Sequence, residues 1–331
     1  MITRQHAATS GRPCVASSLA DLPSGTLRGE LRQNASLARY TTWRCGGNAD
    51  RLYLPADRDD LAAFIRSLPA SEPVIAIGLG SNLLVRDAGV RGTVVVMHPA
   101  LGSITLENGL IHAEAGVASP KVARFAATHG RADAEFLAGV PGTVGGALAM
   151  NAGCYGGETW RYVARVEVLT RAGVFEQRTR DQYAIGYRTV RRLDGSAPDG
   201  LFTAAWFDFP VGDSDAARER IRELLKRRIA TQPLDLPNAG SVFRNPQGDH
   251  AARLIESCGL KGFAIGGARV SEKHANFIVN PQGQAKASDI ERLIEHVHAT
   301  VRARMGVELE AEVRVIGEAA ESGATRQGSV S

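Results

Sequence analysis

The sequence predicts an α+β fold with more than one domain. Runs typical of strands and of amphipathic helices alternate from about residue 30 onward, and the short β-branched runs at residues 74–78 and 93–97 have the pattern of buried strands. The chain has 331 residues, enough for two or three domains. Its 44% hydrophobic and 22% charged residues are ordinary for a globular protein with a sizeable core.

Two helices have clear start and stop signals. Residues 119–130 place Ser119 as the N-cap, a proline at the first helical position and a glycine at the end. Residues 288–306 begin with Ser288 and Glu291 at the spacing of a capping box, carry one apolar stripe and end at a glycine. Both segments are therefore predicted to be amphipathic helices.

The remaining elements are a third helix and a closing strand. The helix, residues 215–229, ends in a basic cluster of Lys226, Arg227 and Arg228, which complements the negative end of the helix dipole. Apolar and polar residues alternate over residues 308–317, as in a half-buried strand. The residues expected to share its apolar face are Leu309, Ala311, Val313 and Val315.

Composition restricts the class of ligand. The net charge is +4, but the basic residues are dispersed, so small phosphate-bearing ligands fit better than nucleic acid. The four cysteines form no CxxC pair and no metal-ligand cluster is visible, so we expect reduced thiols and no metal. No apolar run reaches the length of a membrane span, and residues 1–30 lack the apolar region of a secretory signal, so we expect a cytoplasmic location and no membrane partner.

Glycine-rich segments point to a ligand that approaches the backbone closely. In "IGLGSNLLVRDAGVRG" (residues 77–92), Gly78 and Gly80 precede Ser81 and Asn82 directly after a strand, so successive N–H groups can face a pyrophosphate. The third glycine of a dinucleotide fingerprint is absent, and the residues that follow return to a strand. The segment is therefore a plausible phosphate cradle but not a Rossmann motif.

Two further segments share this composition. "AGVPGTVGGALAMNAG" (residues 138–153) and "TTWRCGGNAD" (residues 41–50) are dense in small residues, and either segment alone fits tight packing of helices or strands equally well. Together with residues 77–92 they favour a bulky dinucleotide. The candidate cofactor-binding residues in the two segments are Gly46, Gly47, Gly142, Thr143, Gly145 and Gly146.

Seven motifs, taken together, resemble the UDP-N-acetylenolpyruvoylglucosamine reductase family. The resemblance covers about residues 35–317. The motifs are "TTWRCGGNAD", "IGLGSNLLVRDAGVRG", "GVPGTVGGALAMNAG", "YRTVRR", "NAGSVFRNP", "GLKGFAIGGARVSEKHANFIVN" and "LEAEVRVIG". The resemblance implies an FAD-binding fold of the vanillyl-alcohol oxidase type and the use of NADPH to reduce the enolpyruvyl ether of UDP-N-acetylglucosamine to UDP-N-acetylmuramate, a peptidoglycan precursor.

The resemblance also implies a domain plan. We expect an extension at residues 1–30 and an FAD domain at residues 31–212, with subdomains at about 31–100 and 101–212. A substrate-binding domain at residues 213–308 follows, and residues 309–320 return to the flavin side before a tail at residues 321–331. The short stretch after Arg188 resembles the subclass that lacks a tyrosine-bearing insertion loop. No obligate protein partner is inferred.

The resemblance assigns the chemistry to three residues. Ser241 lacks the GxSxG context of an esterase nucleophile. The resemblance implies instead that it donates a proton to the enolate-like species that forms when the flavin transfers hydride to the substrate. Arg188 and Glu312 match the family's positions for stabilising charge on the substrate carboxylate. Alternation alone does not separate Glu312 from Glu310, which lies two residues earlier on the same strand face.

Four residues are weaker candidates for substrate binding. Asn245 matches its motif, Arg228 lies near Ser241 in sequence, His274 matches a polar position on the substrate side, and Tyr187 precedes Arg188. The motif "YRTVRR" departs from the family after its first two residues, which leaves Tyr187 and Arg188 matched and residues 189–192 unmatched.

Two other functions fit parts of the sequence. An oxidase of the same fold would bind FAD, but it would not need Ser241, Arg188 and Glu312 together. A sugar-nucleotide sensor without enzymatic activity would also bind FAD, but all three catalytic candidates here are chemically competent. The preferred interpretation is therefore a reductase with FAD and NADPH as cofactors and a UDP-sugar as substrate.

Overall fold

The computed structural model describes residues 27–319, which form eighteen strands and six α-helices. The predicted extension and tail therefore lie largely outside the described residues. The first region contains β1 (Glu30–Ser36), β2 (Asn48–Leu54), α1 (Arg58–Ser67), β3 (Val74–Ile77), β4 (Leu83–Val85) and β5 (Val90–Val96). Its sheet has the order β1, β2, β5, β3, with β1 antiparallel to β2 and the other pairs parallel. The helix α1 packs against this sheet through an apolar cluster that includes Tyr53 and Phe64.

The second region is an antiparallel sheet covered by short helices. Its elements are β6 (Ile104–Glu107), β7 (Leu110–Glu114), α2 (Ser119–Thr128), α3 (Val144–Met150), β8 (Gly153–Cys154), β9 (Gly157–Glu158), β10 (Val163–Leu169), β11 (Phe175–Thr179), β12 (Tyr183–Gly186), β13 (Thr189–Arg192), β14 (Leu201–Phe207) and α4 (Ser214–Thr231). The sheet has the order β11, β10, β14, β7, β6. The buried residues of α4, Ala217 and Ile221, belong to the core of this region. The helix therefore packs with the second region, although it follows the expected domain boundary at residue 213.

The third region is smaller and contacts the first. It contains α5 (Ala251–Ser257), β15 (Ala264–Ile265), β16 (Ala268–Val270), β17 (Ile278–Val279), α6 (Ala287–Met305) and β18 (Arg314–Ile316). Trp43, from the loop before β2, is fully buried in its core and donates its indole N–H to the Ile278 carbonyl at 2.8 Å. The strand β18 pairs in parallel with β4, so the end of the described chain joins the first region.

The predicted helices are present, but two caps differ from the prediction. The Ala118 carbonyl already accepts from the N–H groups of residues 121 and 122, so Ser119 lies inside α2 and Ala118 is the N-cap. At the start of α6, the Asp289 carboxylate accepts from the Lys286 N–H. The carboxylate of Asp87, in the connection between β4 and β5, accepts from the N–H groups of residues 287 and 288. The predicted capping box of Ser288 and Glu291 is therefore wrong, because Asp289 and the distant Asp87 satisfy the helix start.

The predicted strand over residues 308–317 is also too long. Only Arg314–Ile316 forms a ladder, while Ala311 makes a single bridge to Phe243. Leu309 and Val313 are buried as predicted, but Ala311 and Val315 are exposed. The alternation fails because this segment packs first against residues 238–246 and then against β4, so no single sheet face continues through it.

Candidate active site

A cavity of about 580 Å³ lies where residues from all three regions meet. It brings together most of the residues that the sequence predicts for cofactor and substrate. Those in its wall are Gly78, Gly80, Ser81, Asn82, Gly142, Thr143, Gly145, Gly146, Arg188, Arg228, Ser241 and Glu312. Segments distant in sequence therefore converge on one space large enough for an extended ligand.

One wall of the cavity is a cradle of main chain. After β3 the chain turns at Gly80, whose φ of +63° is a conformation that glycine adopts without strain. The N–H groups of Gly80, Ser81 and Asn82 find no acceptor among residues 27–319. Successive unpaired N–H groups of this kind bind anions such as a pyrophosphate.

The opposite side of the cradle supports the same ligand class. The hydroxyl of Thr143 is buried and has no hydrogen-bond partner among the described residues. A side chain at Gly78 would collide with that hydroxyl, so glycine keeps the space open. A buried hydroxyl without a partner is costly unless a ligand satisfies it. The cradle therefore fits a dinucleotide such as FAD.

Gly46 and Gly47 lie outside the cavity wall. Gly47 donates its N–H to the Arg86 carbonyl at 3.2 Å, and Gly46 faces Val85. Their small size lets the loop before β2 approach the β4–β5 connection. The sequence predicts that a ligand approaches these two glycines closely, but in the structure they approach the protein's own main chain.

Arg188 occupies a strained position next to the cavity. It is the second residue of the two-residue turn between β12 and β13, with a φ of +53°, which is uncommon for any residue other than glycine. Its Nε donates to Glu312 Oε1 at 2.8 Å, and its two terminal nitrogens donate to the carbonyls of Asn151 at 3.3 Å and Gly153 at 2.8 Å. The guanidinium is thus held from three directions.

Ser241 also lies in the cavity wall. It belongs to an irregular segment, residues 238–246, that bridges to β17 at Asn238 and to Ala311 at Phe243. The Ser241 side chain is half-buried and makes no hydrogen bond within the described residues. Its hydroxyl can therefore bind a ligand without first breaking an internal contact.

Glu312 and Glu310 have different environments. The Glu312 side chain is only 12% exposed, lines the cavity and pairs with Arg188. Glu310 is 68% exposed, lies outside the cavity wall and pairs with Arg244 at 2.8 Å. Of the two carboxylates that the alternation left open, only Glu312 can reach a ligand in the cavity.

Arg228 contributes a positive charge to the cavity wall. It lies in the last turn of α4 and donates to the side chain of Gln232 at 2.9 Å. Burial lowers the pKa of its guanidinium below the ordinary value, and the nearby Cys154 and Tyr155 oppose this shift. An arginine nevertheless stays charged at neutral pH. No carboxylate of residues 27–319 forms an ion pair with it. A partly buried cation of this kind needs an anion, and a bound phosphate would supply one.

Three other candidates lie outside the wall. The Asn245 side-chain oxygen accepts from the Ala251 N–H at 3.1 Å and so holds the start of α5. Tyr187 is 48% exposed, and its ring centroid lies 5.1 Å from the Arg188 guanidinium. His274 accepts the Asn276 N–H at 3.3 Å, and its burial lowers the pKa of the imidazole, which favours the neutral form that can accept.

Sequence analysis missed two asparagines near the site. Asn151 is buried with a left-handed φ of +46°, and its side chain joins Glu158 and the Gly186 carbonyl, which fixes the main chain that holds Arg188. Its place two residues before Gly153 in a glycine-rich segment could have indicated this left-handed conformation, because asparagine often adopts it at the end of a helix. Asn276, described below, offers no such local pattern.

Neither a membrane-spanning helix nor a cluster of metal-binding side chains is present among residues 27–319. No helix there is both long and apolar enough to cross a bilayer. No group of three or more histidine, cysteine, aspartate or glutamate side chains there is arranged to hold a metal ion.

Comparisons with known proteins agree with this geometry. The FAD binding domain family matches residues 49–177, and the UDP-N-acetylenolpyruvoylglucosamine reductase C-terminal domain family matches residues 232–316. The predicted α+β, FAD-binding fold is thereby confirmed.

Individual relatives cover nearly the whole chain. The UDP-N-acetylenolpyruvoylglucosamine reductase of Nitrosospira multiformis is 57% identical over 312 residues, which span 88% of this chain and 90% of that protein. The Thiobacillus denitrificans reductase is 55% identical over 308 residues, or 88% and 94%. The crystal structure of the Thermus caldophilus reductase matches with a TM-score of 0.73 and 33% identity, covering 88% of this chain and all of that one. The chain belongs to the UDP-N-acetylenolpyruvoylglucosamine reductase family.

Proposed function

We propose that the chain reduces UDP-N-acetyl-3-O-(1-carboxyvinyl)glucosamine to UDP-N-acetylmuramate with NADPH and bound FAD, in the synthesis of peptidoglycan precursors. The reaction adds one hydride and one proton across the carbon–carbon double bond of the enolpyruvyl group, and NADPH becomes NADP⁺. A single observation carries the proposal: in a chain of this family, Ser241, Arg188 and Glu312 converge on one cavity beside a glycine-lined cradle.

The cradle would hold the cofactor. The N–H groups of Gly80, Ser81 and Asn82, with the Thr143 hydroxyl, would bind its phosphates. When bound, FAD supplies the chemistry that takes hydride from NADPH and passes it to the terminal carbon of the substrate's double bond. The remaining steps depend on this chain's own side chains.

Ser241 donates the proton. Addition of hydride leaves negative charge on the adjacent carbon, which is a strong base, so a weak acid such as a hydroxyl suffices if it lies within hydrogen-bond reach. The Ser241 hydroxyl makes no hydrogen bond within the described residues and lies in the cavity wall. It therefore needs no histidine partner.

Arg188 binds the carboxylate next to the reacting carbons. A guanidinium has five N–H donors. In Arg188, one N–H donates to Glu312 and two donate to main-chain carbonyls. Two N–H groups therefore remain for the substrate. Because Glu312 fixes the plane of the guanidinium before the substrate arrives, the charge that develops on the carboxylate meets a preorganised partner.

Arg228 binds the diphosphate of the UDP group. It is a partly buried cation in the cavity wall without a carboxylate partner among the described residues, so an incoming phosphate compensates its charge. NADPH carries a diphosphate too, and both molecules must reach the same cofactor. We therefore expect them to use one cavity in turn, with ping-pong kinetics.

The proposal requires only these small-molecule partners, and it places the reaction in the cytoplasm, where NADPH is available. It does not invoke a metal, a nucleic acid or a protein partner.

The test separates the two half-reactions. NADPH should bleach the flavin absorption of the purified protein under anaerobic conditions, and the enolpyruvyl substrate should restore it. Ser241→Ala should leave the bleaching rate nearly unchanged and slow the recovery by roughly 10²- to 10⁴-fold. Ser288→Ala, at an exposed serine at the start of α6, is the matched control and should match the unmodified protein in both steps. Equal slowing of both steps by Ser241→Ala would refute the proton-donor role, and recovery with a different acceptor alone would refute the substrate.

A further inference from the structure

Asn276 is a buried side chain that contacts the segment containing Ser241. It is 3% exposed and follows the turn that His274 helps to form. Its side-chain oxygen accepts from the Phe243 N–H at 2.9 Å, and its side-chain nitrogen donates to the Phe243 carbonyl at 2.8 Å. The amide thus satisfies both main-chain groups of a residue 33 positions away, as a neighbouring strand would.

The main chain of Asn276 extends this contact toward the site. Its carbonyl accepts from the Val242 N–H at 2.9 Å, and the Val242 carbonyl accepts from the Glu312 N–H at 2.8 Å. Three hydrogen bonds from one residue therefore fix the two residues after Ser241, and a fourth bond joins that segment to Glu312. Asn276 itself lies behind the cavity wall, which includes its neighbour Phe277.

On the other side of Ser241 the nearest tertiary main-chain support is three residues away, at Asn238, which forms an isolated bridge to Val279. Gly240 has a left-handed φ of +76° and no atom near the place where a side chain would lie. Its N–H is held locally by Asn238 at 3.0 Å. Ser241 makes no hydrogen bond within the described residues, and the tertiary hydrogen bonds nearest to it in the chain are those that Asn276 makes to Val242 and Phe243 and that Glu312 makes to Val242.

We propose that Asn276 is a positioning residue, which holds the Ser241 hydroxyl and Glu312 in one fixed arrangement for proton transfer. This inference rests on the function proposed above. A side-chain amide or a protonated carboxyl group presents a donor atom and an acceptor atom side by side, as the paired contact with the Phe243 carbonyl and N–H requires. A displacement of about 1 Å at a reacting group can slow catalysis by about 10²-fold, so this paired contact is expected to affect the rate although Asn276 does not reach the substrate.

The first test is Asn276→Asp in the FAD-loaded protein. An ionised carboxylate cannot donate, so the Phe243 carbonyl loses its partner and faces a negative charge. We expect NADPH to bleach the flavin at the normal rate, and the limiting rate of recovery with the enolpyruvyl substrate to fall by about 10²-fold with little change in substrate affinity. The flavin spectrum and the thermal midpoint, measured in parallel, report whether the fold is retained.

The dependence on pH distinguishes positioning from a general structural defect. A buried carboxyl group beside a carbonyl has a raised pKa, and its protonated form can donate as the amide does. The defect of Asn276→Asp, expressed relative to the unmodified protein at each pH, should therefore shrink as the pH is lowered from about 8 to about 6. A defect that stays constant or grows over this range would overturn the proposal.

The chain offers a matched control in Asn280. It is fully buried in the same part of the fold, and its side chain also donates to one main-chain carbonyl, of Trp43, and accepts from one N–H, of Ala285. Asn280→Asp should lower the thermal midpoint without selective slowing of the recovery step. Equal slowing of that step by both variants would show a general packing effect and overturn the proposal.

Asn276→Gln keeps the test decisive if Asn276→Asp does not fold. It retains both hydrogen-bonding groups, but the extra methylene displaces them by about 1 Å, so it should bind FAD and still slow recovery. Recovery at the normal rate in Asn276→Gln would contradict the proposal. If Ser241→Ala slows recovery but no Asn276 variant does, this inference fails alone; if Ser241→Ala has no effect, the proposed function of Ser241 fails with it.

Discussion

Two ion pairs take their acids from the same short segment but differ in their surroundings. Arg188 and Glu312 meet at 2.8 Å with side chains 15% and 12% exposed, in the wall of the cavity. Arg244 and Glu310 also meet at 2.8 Å, but Glu310 is 68% exposed. The two pairs have the same chemistry, the same separation and acids only two residues apart. Burial, and not the contact itself, therefore distinguishes a pair that can act on a ligand from one that water screens.

The largest expected effect is on catalysis at the buried pair. Glu312→Gln removes the charge that fixes the Arg188 guanidinium, so we expect the recovery of flavin absorption with the enolpyruvyl substrate to slow by about 10²-fold, with bleaching by NADPH little changed. Rapid-mixing absorbance measurements of the two half-reactions check this. A larger defect in Glu310→Gln than in Glu312→Gln would reverse the comparison.

The next effect is on stability. Arg188→Met leaves Glu312 largely buried without its cation, so we expect a loss of about 2–3 kcal/mol in the free energy of unfolding, somewhat below the range for fully buried pairs because the cavity admits water. Urea denaturation of the protein at a fixed FAD concentration measures it. Arg244→Met is the control; it also removes a long hydrogen bond to the Arg188 carbonyl, and it should still cost less, about 1 kcal/mol. Equal losses would mean that burial does not separate the two pairs.

A third arginine, Arg228, sharpens the comparison because it has no carboxylate partner among residues 27–319. Arg228→Met should weaken binding of the UDP substrate by about tenfold, since a charge-assisted contact to phosphate is lost. Titration of the flavin signal with substrate measures the affinity. Its neighbour Arg227, which is exposed and lies 6.0 Å from the Tyr155 ring, provides the control. If Arg227→Met weakens binding as much, the effect is one of net charge.

The smallest effect is expected at the exposed acid. Glu310→Gln breaks a pair that water and salt already screen, so both half-reactions should stay within about twofold and stability within about 1 kcal/mol of the unmodified protein. Repeating the stability measurement at high salt should remove most of any difference. A defect that persists at high salt would show that Glu310 has a role beyond its surface pair.

The sequence predicted the elements with strong periodicity better than their ends. The helices α2 and α6 follow from amphipathic spacing, which is a local property. The start of α6 does not, because Asp87, 200 residues away, supplies two of its acceptors. The closing strand was overestimated because the main chain pairs first with residues 238–246 and then with β4, and alternation does not report which partner a segment has.

The same distinction applies to the site. The glycine-rich turn at Gly78 and Gly80 could be predicted as a cradle because its chemistry is local. The choice between Glu310 and Glu312 required the family resemblance, and the structure now places only Glu312 in the wall. Asn276 could not be found from the sequence, because its function depends on a contact with Phe243 that no spacing encodes.

The left-handed conformation of Arg188 has a consequence for protein engineering. Its φ of +53° is strained for arginine and relaxed for glycine, so the residue that best suits this turn differs from the residue that the proposed chemistry requires. Glycine at position 188 would relieve this strain but would leave Glu312 largely buried without its cation, so it gains stability only if Glu312 is replaced as well. Selection for heat resistance alone should therefore change positions 188 and 312 together and lose turnover, whereas selection for turnover should retain both residues at some cost in stability.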